Sequence, residues 1–356
     1  MSINTLELSK KLFERYEQVH KRIDNYFGLL ALYGFSQTAY ETKDEALIKK
    51  CVDMLKMYPD KISHPHYNFE CYKIGGNAKV WLAEKGYFQD EKELIREYAE
   101  KTLCAPKSKE GILCMPSDKE NNKIWIDTVH AVTPFMLYAG LLLGEEKYID
   151  FAAEQCFLMY EFFLDKTCGL LHQSRGFMED KTLVSADHWS RGNGWCYMGL
   201  ADLVLSLPKN SPHMEKAKKY FKDLSKAILN YRDEKGVWRQ ELTNEYSWAE
   251  SSGTAIFLYG FGIGLRTGIL EKETFEKPYK ESINAFAESF IKTNYSTLMC
   301  CHGCLCPGEG KDRGSVKAYL TAVRPVEDER HSYGAMMLAL TEAYRNGINE
   351  VTPVIE

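Results

Sequence analysis

The sequence has no uninterrupted apolar run of membrane-spanning length, no surplus of basic residues and very little strand-like alternation. The first absence argues against a transmembrane helix. Residues 1–20 also lack the apolar core and small-residue cleavage site of a secretory leader, since Lys10, Lys11, Glu14 and Arg15 make this start amphipathic and charged. With 45 Lys and Arg against 50 Asp and Glu, the net charge of −5 gives no electrostatic footprint for nucleic acid or an anionic membrane surface. An even disulfide set is missing too: eleven cysteines, an odd number, are scattered along 356 residues, which fits buried thiols in a reducing compartment better than a disulfide framework. A cytoplasmic location is therefore expected.

What is present is helical periodicity from end to end, as in Leu8, Leu12, Phe13, Tyr16 and Val19 or Ala335, Met336, Leu338, Leu340 and Tyr344. Eleven helices are expected near 5–33, 44–57, 67–86, 90–103, 126–143, 146–163, 193–206, 213–230, 250–266, 274–291 and 330–345. Short turns follow residues 143 and 206, whereas long loops rich in polar and aromatic residues cover 104–124, 164–190, 231–248 and 292–329. Such alternation implies helical hairpins around a ring, with short turns on one rim and functional loops on the other. Small residues at close spacing (Gly140 with Gly144, Gly253 with Gly260, and Gly262, Gly264 and Gly268) point to tight approach of inner helices. The expected fold is all-α, a six-hairpin (α/α)6 barrel forming one domain over 1–356. Six hairpins need twelve helices, so either 5–33 is split or a loop conceals one.

The 22 Tyr, 17 Phe and 6 Trp are enough to line a long aromatic cleft. Five polar-aromatic clusters fall at the long-loop ends of helices: Tyr67-Asn68-Phe69 with Tyr72; Trp125-Ile126-Asp127-Thr128-Val129-His130; Leu171-His172-Gln173-Ser174-Arg175; Asp187-His188-Trp189-Ser190-Arg191-Gly192-Asn193-Gly194-Trp195; and Trp248-Ala249-Glu250-Ser251-Ser252-Gly253-Thr254. Indoles offer flat apolar faces to pyranose rings, while Arg and Asn bind oxygens. Asp127 and Asp187 each open a helix beside a tryptophan. If both face one cavity, repulsion raises one pKa and leaves a proton available near neutrality. Either aspartate can instead be a helix N-cap. Glu250 before Ser-Ser-Gly reads more simply as part of a local hydrogen-bond network. The run Cys300-Cys301-His302-Gly303-Cys304-Leu305-Cys306 has zinc-ligand residue types but not two separated pairs, and is read as a tight loop with thiols used as small apolar residues.

Three segments, Trp125-Ile126-Asp127-Thr128, Ser190-Arg191-Gly192-Asn193-Gly194-Trp195 and Glu250-Ser251-Ser252-Gly253-Thr254-Ala255 leading to Tyr259-Gly260, occur in the order found in the unsaturated glucuronyl and rhamnogalacturonyl hydrolases, glycoside hydrolase families 88 and 105. The chain resembles these, and the latter more closely, over roughly residues 65–345. The resemblance implies an (α/α)6 barrel that hydrates the 4,5 double bond of an unsaturated uronate at the non-reducing end of a lyase-generated oligosaccharide, galacturonyl-rhamnose by family weight. It assigns proton transfer to Asp187 and an assisting role to Asp127. His172, Arg175 and Arg191 are candidates for the substrate carboxylate. The remaining expected sugar-binding residues are His130, Trp189, Asn193, Trp195, Tyr67, Asn68, Trp248, Ser252 and Thr254. No metal or cofactor is required, the partner is a small oligosaccharide, and the protein is expected to be a monomer or homodimer. The rival readings are an inverting glycosidase acting on saturated glycosides through Asp127 and Asp187, a non-catalytic sugar-binding toroid, and a zinc protein centred on 300–306.

Overall fold

The computed structural model describes residues 2–20, 23–59 and 69–354. Thirteen α-helices occur among them: α1 (Thr5–Val19), α2 (Tyr26–Thr42), α3 (Glu45–Leu55), α4 (Gly76–Glu84), α5 (Lys92–Leu103), α6 (Asp127–Leu143), α7 (Glu146–Phe163), α8 (Ser190–Ser206), α9 (Met214–Asn230), α10 (Ser251–Arg266), α11 (Lys272–Phe290), α12 (Val316–Thr321) and α13 (Arg330–Arg345). Strands are limited to two-residue pairs, such as Ile124–Trp125 against Ser174–Arg175 and Cys300–Cys301 against Pro325–Val326. The segment expected as one helix over 5–33 is two, because the Asn25 side chain accepts the Gly28 N–H and starts α2 afresh. Its continuation to Thr42 escaped the sequence reading, as did the short α12, capped by Ser315. The expected helix over 67–86 is a 3-10 turn at Glu70–Ile74 followed by α4.

Six helices pack in sequence: α2 on α4, α4 on α6, α6 on α8, α8 on α10, α10 on α13, and α13 back on α2. They are buried on all sides; in α10 every residue from Ser251 to Leu265 is buried. Six others (α1, α3, α5, α7, α9 and α11) lie against them and are one-sided. The buried residues of α9, for example, are Met214, Ala217, Phe221, Leu224, Ser225, Ala227 and Ile228, one helical stripe opposite a lysine-rich face. From α2 onward an inner helix passes to an outer one through a short turn and the outer one returns through a longer connection; α1, which ends at Val19, reaches α2 at Tyr26 by a short one.

The long loops are stitched to one another where the inner helices begin. Ile126 N–H donates to Gln173 O, Ser190 N–H to Gln240 O and Ser251 N–H to Met299 O, at 2.8–2.9 Å. In each case the residue at the start of one inner helix is held by the loop leading to the next. Close helix approach is real at five of the glycines singled out: Gly140 against Ile149 of α7, Gly262 against Glu342 of α13, Gly264 against Phe221 of α9, and Gly253 and Gly260 against α8. A Cβ on Gly253 would sit 2.5 Å from Ser190 Oγ, and one on Gly260 would sit 2.2 Å from the Tyr197 ring. Gly144 and Gly268 act differently: both have left-handed φ (69° and 72°) in turns and meet no neighbouring helix. Among the described residues no helix is long and apolar enough to cross a membrane.

Candidate active site

A cavity of about 370 Å³ opens where inner helices begin. Its wall is built by Tyr26 and Phe27 of α2, Phe69 and Tyr72 ahead of α4, Trp125 and Asp127 at α6, Trp189 and Arg191 at α8, His331 of α13, and Gly303, Cys304 and Leu305 from the loop above. Aromatic faces thus surround a small number of polar groups. The N-terminal ends of α2, α6, α8 and α13 also turn the positive ends of their dipoles towards this space, which favours an anionic ligand.

Asp127 is the first residue of α6, and Ile126, not Asp127, occupies the cap position with no side-chain cap bond. The capping alternative is therefore not realised, and Asp127 Oδ2 is buried without a hydrogen-bond partner. Burial raises its pKa to about 7; the Arg191 charge and the Trp195 indole oppose the rise, and Asp187 adds to it. The Trp195 N–H itself falls outside hydrogen-bonding geometry. Arg191, fully buried, donates from Nη1 to Ser252 Oγ (3.0 Å) and Cys301 O (2.5 Å) and from Nη2 to His302 O (2.9 Å). Its guanidinium lies 4.6 Å from the Trp189 ring, and Nε has no partner. Arg191 therefore ties the cysteine-rich loop over the cavity while keeping one N–H unspent. Glu250 is likewise a hub of local bonding, accepting from Ser252 and Gly253 N–H, Ser190 Oγ and Cys301 N–H. That is the network role its sequence context implied.

Asp187 is fully buried and contributes nothing to the cavity wall. Its oxygens accept Gln173 N–H (3.3 Å) and Trp189 N–H (3.1 Å). Its pKa is raised first by burial and then by Glu241, whose own oxygens accept the His188 N–H at 3.0 and 2.8 Å. Both aspartates are thus displaced upward, as anticipated for one of them, but burial dominates over their mutual repulsion and the carboxylate acting on Asp187 is Glu241.

The other sequence-selected residues divide in the same way. Trp189 and Arg191 line the cavity; His130, Trp195, Asn193, His172, Arg175, Trp248, Ser252 and Thr254 stand behind it or to its side. His130 stacks on Trp195 at 4.4 Å, and burial lowers its pKa to about 3. His172 Nδ1 lies 3.0 Å from Asp187 O. Arg175 is spent on a two-pronged pair with Glu110 at 2.8 and 3.2 Å. Asn193 brackets Leu171 by accepting its N–H and donating to its C=O. Thr254 Oγ1 accepts Trp238 N–H and donates to Glu250 O. Trp248 packs, partly buried, against Trp189, Cys301, Cys304, Tyr319 and Val323. Tyr67 and Asn68 lie outside the described residues.

Sequence reasoning missed Tyr26, Phe27, His331 and the 303–305 segment. Glu329 Oε2 lies 2.7 Å from His331 Nδ1, and His331 Nε2 lies 2.9 Å from the Tyr26 hydroxyl. Burial and Arg191 lower the His331 pKa to about 4 despite Glu329, so the ring is neutral near pH 7. The carboxylate then places the proton on Nδ1, and Nε2 accepts from Tyr26. The run Glu329-Arg330-His331, opening a helix after a long loop, was the available signal; Tyr26 and Phe27 were hidden inside an apparently continuous helix. The cysteines of 300–306 behave as small apolar residues: Cys300, Cys301, Cys304 and Cys306 are all buried free thiols.

The sequence model of Glycosyl Hydrolase Family 88 matches residues 7–347. Similar curated proteins include an unsaturated 3S-rhamnoglycuronyl hydrolase of Formosa agariphila, 27% identical over 46% of this chain and 46% of that protein. The unsaturated rhamnogalacturonyl hydrolase YesR of Bacillus subtilis is 24% identical over 64% of this chain and 67% of that protein. The chain spans about half the length of the Formosa and Alteromonas relatives it matches. Among solved structures, a family 105 glycoside hydrolase of C. acetobutylicum superposes with a TM-score of 0.83 at 22% identity, covering 95% of this chain and 99% of that one. The unsaturated glucuronyl hydrolase of Bacillus sp. GL1 does so with 0.67 at 15%, covering 97% and 96%. These structural likenesses establish the helical fold, and the match over nearly the whole sequence establishes the family: the chain belongs to glycosyl hydrolase family 88.

Proposed function

We propose that this chain hydrates the 4,5 double bond of an unsaturated uronate at the non-reducing end of a lyase-generated oligosaccharide, with unsaturated galacturonyl-rhamnose as the preferred substrate, and releases the neighbouring sugar. The inner helices, cyclic in their packing, are taken as the inner layer of an (α/α)6 barrel forming one domain. The observation that carries the reading is the Asp127 carboxyl: it faces an aromatic cavity, it has an unpartnered oxygen, and its pKa of about 7 leaves it protonated in a useful fraction near neutrality. In this reading Asp127 donates its proton to C4, the carboxylate so formed takes a proton from the water that adds at C5, and the resulting hemiketal opens. One group serves as acid and then base, which its pKa suits. The unspent Nε–H of Arg191 and the helix N-termini favour the substrate carboxylate, and Trp125, Trp189 and Tyr72 favour the ring.

These roles reverse the order implied by family resemblance, in which Asp187 is the acid and Asp127 assists. The raised pKa of Asp187 favours that second assignment, and it requires Asp187, which is fully buried outside the cavity wall, to become accessible to the substrate. Loss of the ultraviolet absorbance of the conjugated uronate, followed with rhamnogalacturonan and glycosaminoglycan disaccharides made by lyases, tests the reaction itself. Turnover by the native protein supports hydration and names the sugar class. Absence of turnover on every unsaturated disaccharide, with cleavage of saturated glycosides instead, would replace it with an inverting glycosidase; binding without turnover would leave a sugar-binding toroid. A reducing location, such as cytoplasm, fits the eleven free thiols.

A further inference from the structure

Behind Trp189, and outside the cavity, the chain assembles a group of side chains that the reaction does not use. Leaving α7 it folds back in a tight hairpin: Asp165 N–H donates to Leu170 O (2.9 Å) and Gly169 N–H to Asp165 O (2.8 Å). This turn brings Asp165 and Cys168 beside His188, which arrives some twenty residues later. Asp165 Oδ2 is 3.1 Å and Cys168 Sγ 3.4 Å from His188 Nε2, and all three donor atoms lie within 4.8 Å of one another. Among the described residues this is the one grouping of three ligand-type side chains so close together.

We propose that Asp165, Cys168 and His188 bind a zinc ion that pins the hairpin after α7 to the segment carrying Asp187 and Trp189. At zinc bond lengths of about 2.0–2.3 Å, tetrahedral ligand atoms stand roughly 3.3–3.6 Å apart. The observed separations need little adjustment to reach that range. Sulfur and imidazole donors select zinc over calcium or magnesium, which take oxygen ligands. An aspartate and a thiolate balance the two positive charges, with the thiol proton released to solvent as the Zn–S bond forms.

The ligands are also braced from behind, as metal ligands need to be. Asp165 Oδ1 accepts the Thr167 N–H (2.8 Å) and hydroxyl (2.7 Å), leaving Oδ2 to point at His188. His188 Nδ1 faces Thr243 Oγ1 at 3.4 Å and Glu241 Oε1 at 3.7 Å, while Thr243 Oγ1 donates to Glu241 at 3.0 Å. Nε2 is thereby the nitrogen offered to the ion. Asp165 and Cys168 are only partly buried, so an ion has a path in and solvent can take the fourth position.

Metal-stripped full-length protein, reloaded with zinc and then desalted, is assayed for metal content, and the cobalt-substituted form is scanned for thiolate-to-cobalt absorption. The expected result is one zinc per chain and a thiolate band. Cys168→Ser should lose the band and weaken zinc binding by more than about 100-fold, and Thr243→Val should weaken it by about 10-fold while leaving the ligands in place. Cys304→Ser should bind as the native protein does. Folded native protein that retains less than about one ion per ten chains under conditions saturating a structural zinc site overturns the proposal. So does zinc that survives Cys168→Ser and is lost in Cys304→Ser. In the first case the three side chains are a hydrogen-bonded cluster; in the second the ion belongs to the 300–306 loop.

Discussion

Two groups of buried acids and bases meet at Trp189, and they are finished in opposite ways. On the cavity side, Asp127 Oδ2, Arg191 Nε and the Trp189 indole N–H are all buried without a partner. On the other side, Asp187 accepts two backbone N–H groups, Glu241 accepts another with both oxygens, and His188 touches Asp165, Cys168 and Thr243. A buried polar group left unmatched costs about 1–3 kcal/mol, so three around one space mark a place completed by a ligand. Asp187 and Glu241 are closed by these backbone bonds and read as support. Burial and a raised pKa are therefore common to Asp127 and Asp187 and do not tell them apart; the unmatched oxygen does.

The sharpest way to break this contrast is to neutralise each aspartate. Asp127→Asn is expected to cut kcat/KM by about 10²–10⁴-fold with little change in Tm, the size of a lost proton transfer. Asp187→Asn should cost less than about tenfold in kcat/KM yet destabilise by about 1–3 kcal/mol, because its amide turns a donor towards the Gln173 or Trp189 N–H. Equal activity losses, with Tm unmoved for Asp187→Asn, would restore Asp187 as the acid.

The pH profile sharpens the same point. A pKa raised to about 7 keeps Asp127 protonated below that value, so activity that needs the proton is present below pH 7 and declines as pH rises through it. About a tenfold fall in kcat/KM is expected between pH 7 and 8.5, measured on the unsaturated disaccharide, and a flat profile across that range would remove Asp127 as the donor. Next in size is Glu241→Gln, which removes a charge-assisted anchor for the His188 N–H. Thermal unfolding should report a loss of about 1–3 kcal/mol, with kcat changed less than about threefold if Glu241 acts only on the supporting side. The smallest effect is expected for Arg175→Lys: about 1 kcal/mol of stability from the broken fork on Glu110, and no change in KM. A raised KM would return Arg175 to the substrate carboxylate.

Much of the fold was legible because hydrophobic periodicity and loop length are local properties. Residues 213–230 announce an outer helix by their apolar stripe, and 250–266 an inner one by having almost no polar face. The split before α2 was less legible, since Leu6 through Tyr33 hold a helical spacing across it, although α1 stops at Val19 with His20 extended and Asn25 caps a new helix. Of the site, Asp127, Trp189 and Arg191 were found from their company. Tyr26, Phe27 and His331 were not, for they belong to the first and last inner helices and reach the cavity only because α13 packs back on α2. Arg175 and Asn193 were overread for the complementary reason: a polar side chain suited to a sugar is equally suited to Glu110 or to the Leu171 backbone, and spacing along a chain does not say which is nearer.

The sequence by itself determined the helical class, the alternation of short turns with long loops, the rim on which the polar clusters fall, and the family. Each follows from residue types at fixed spacing within a few tens of positions. The tertiary structure alone decided which carboxyl faces open space, which guanidinium is already spent, and that Asp165 and Cys168 meet His188. Those outcomes depend on atoms brought together within about 3–4 Å from segments far apart in the chain, where burial and the completion of hydrogen bonds, not residue type, select the role.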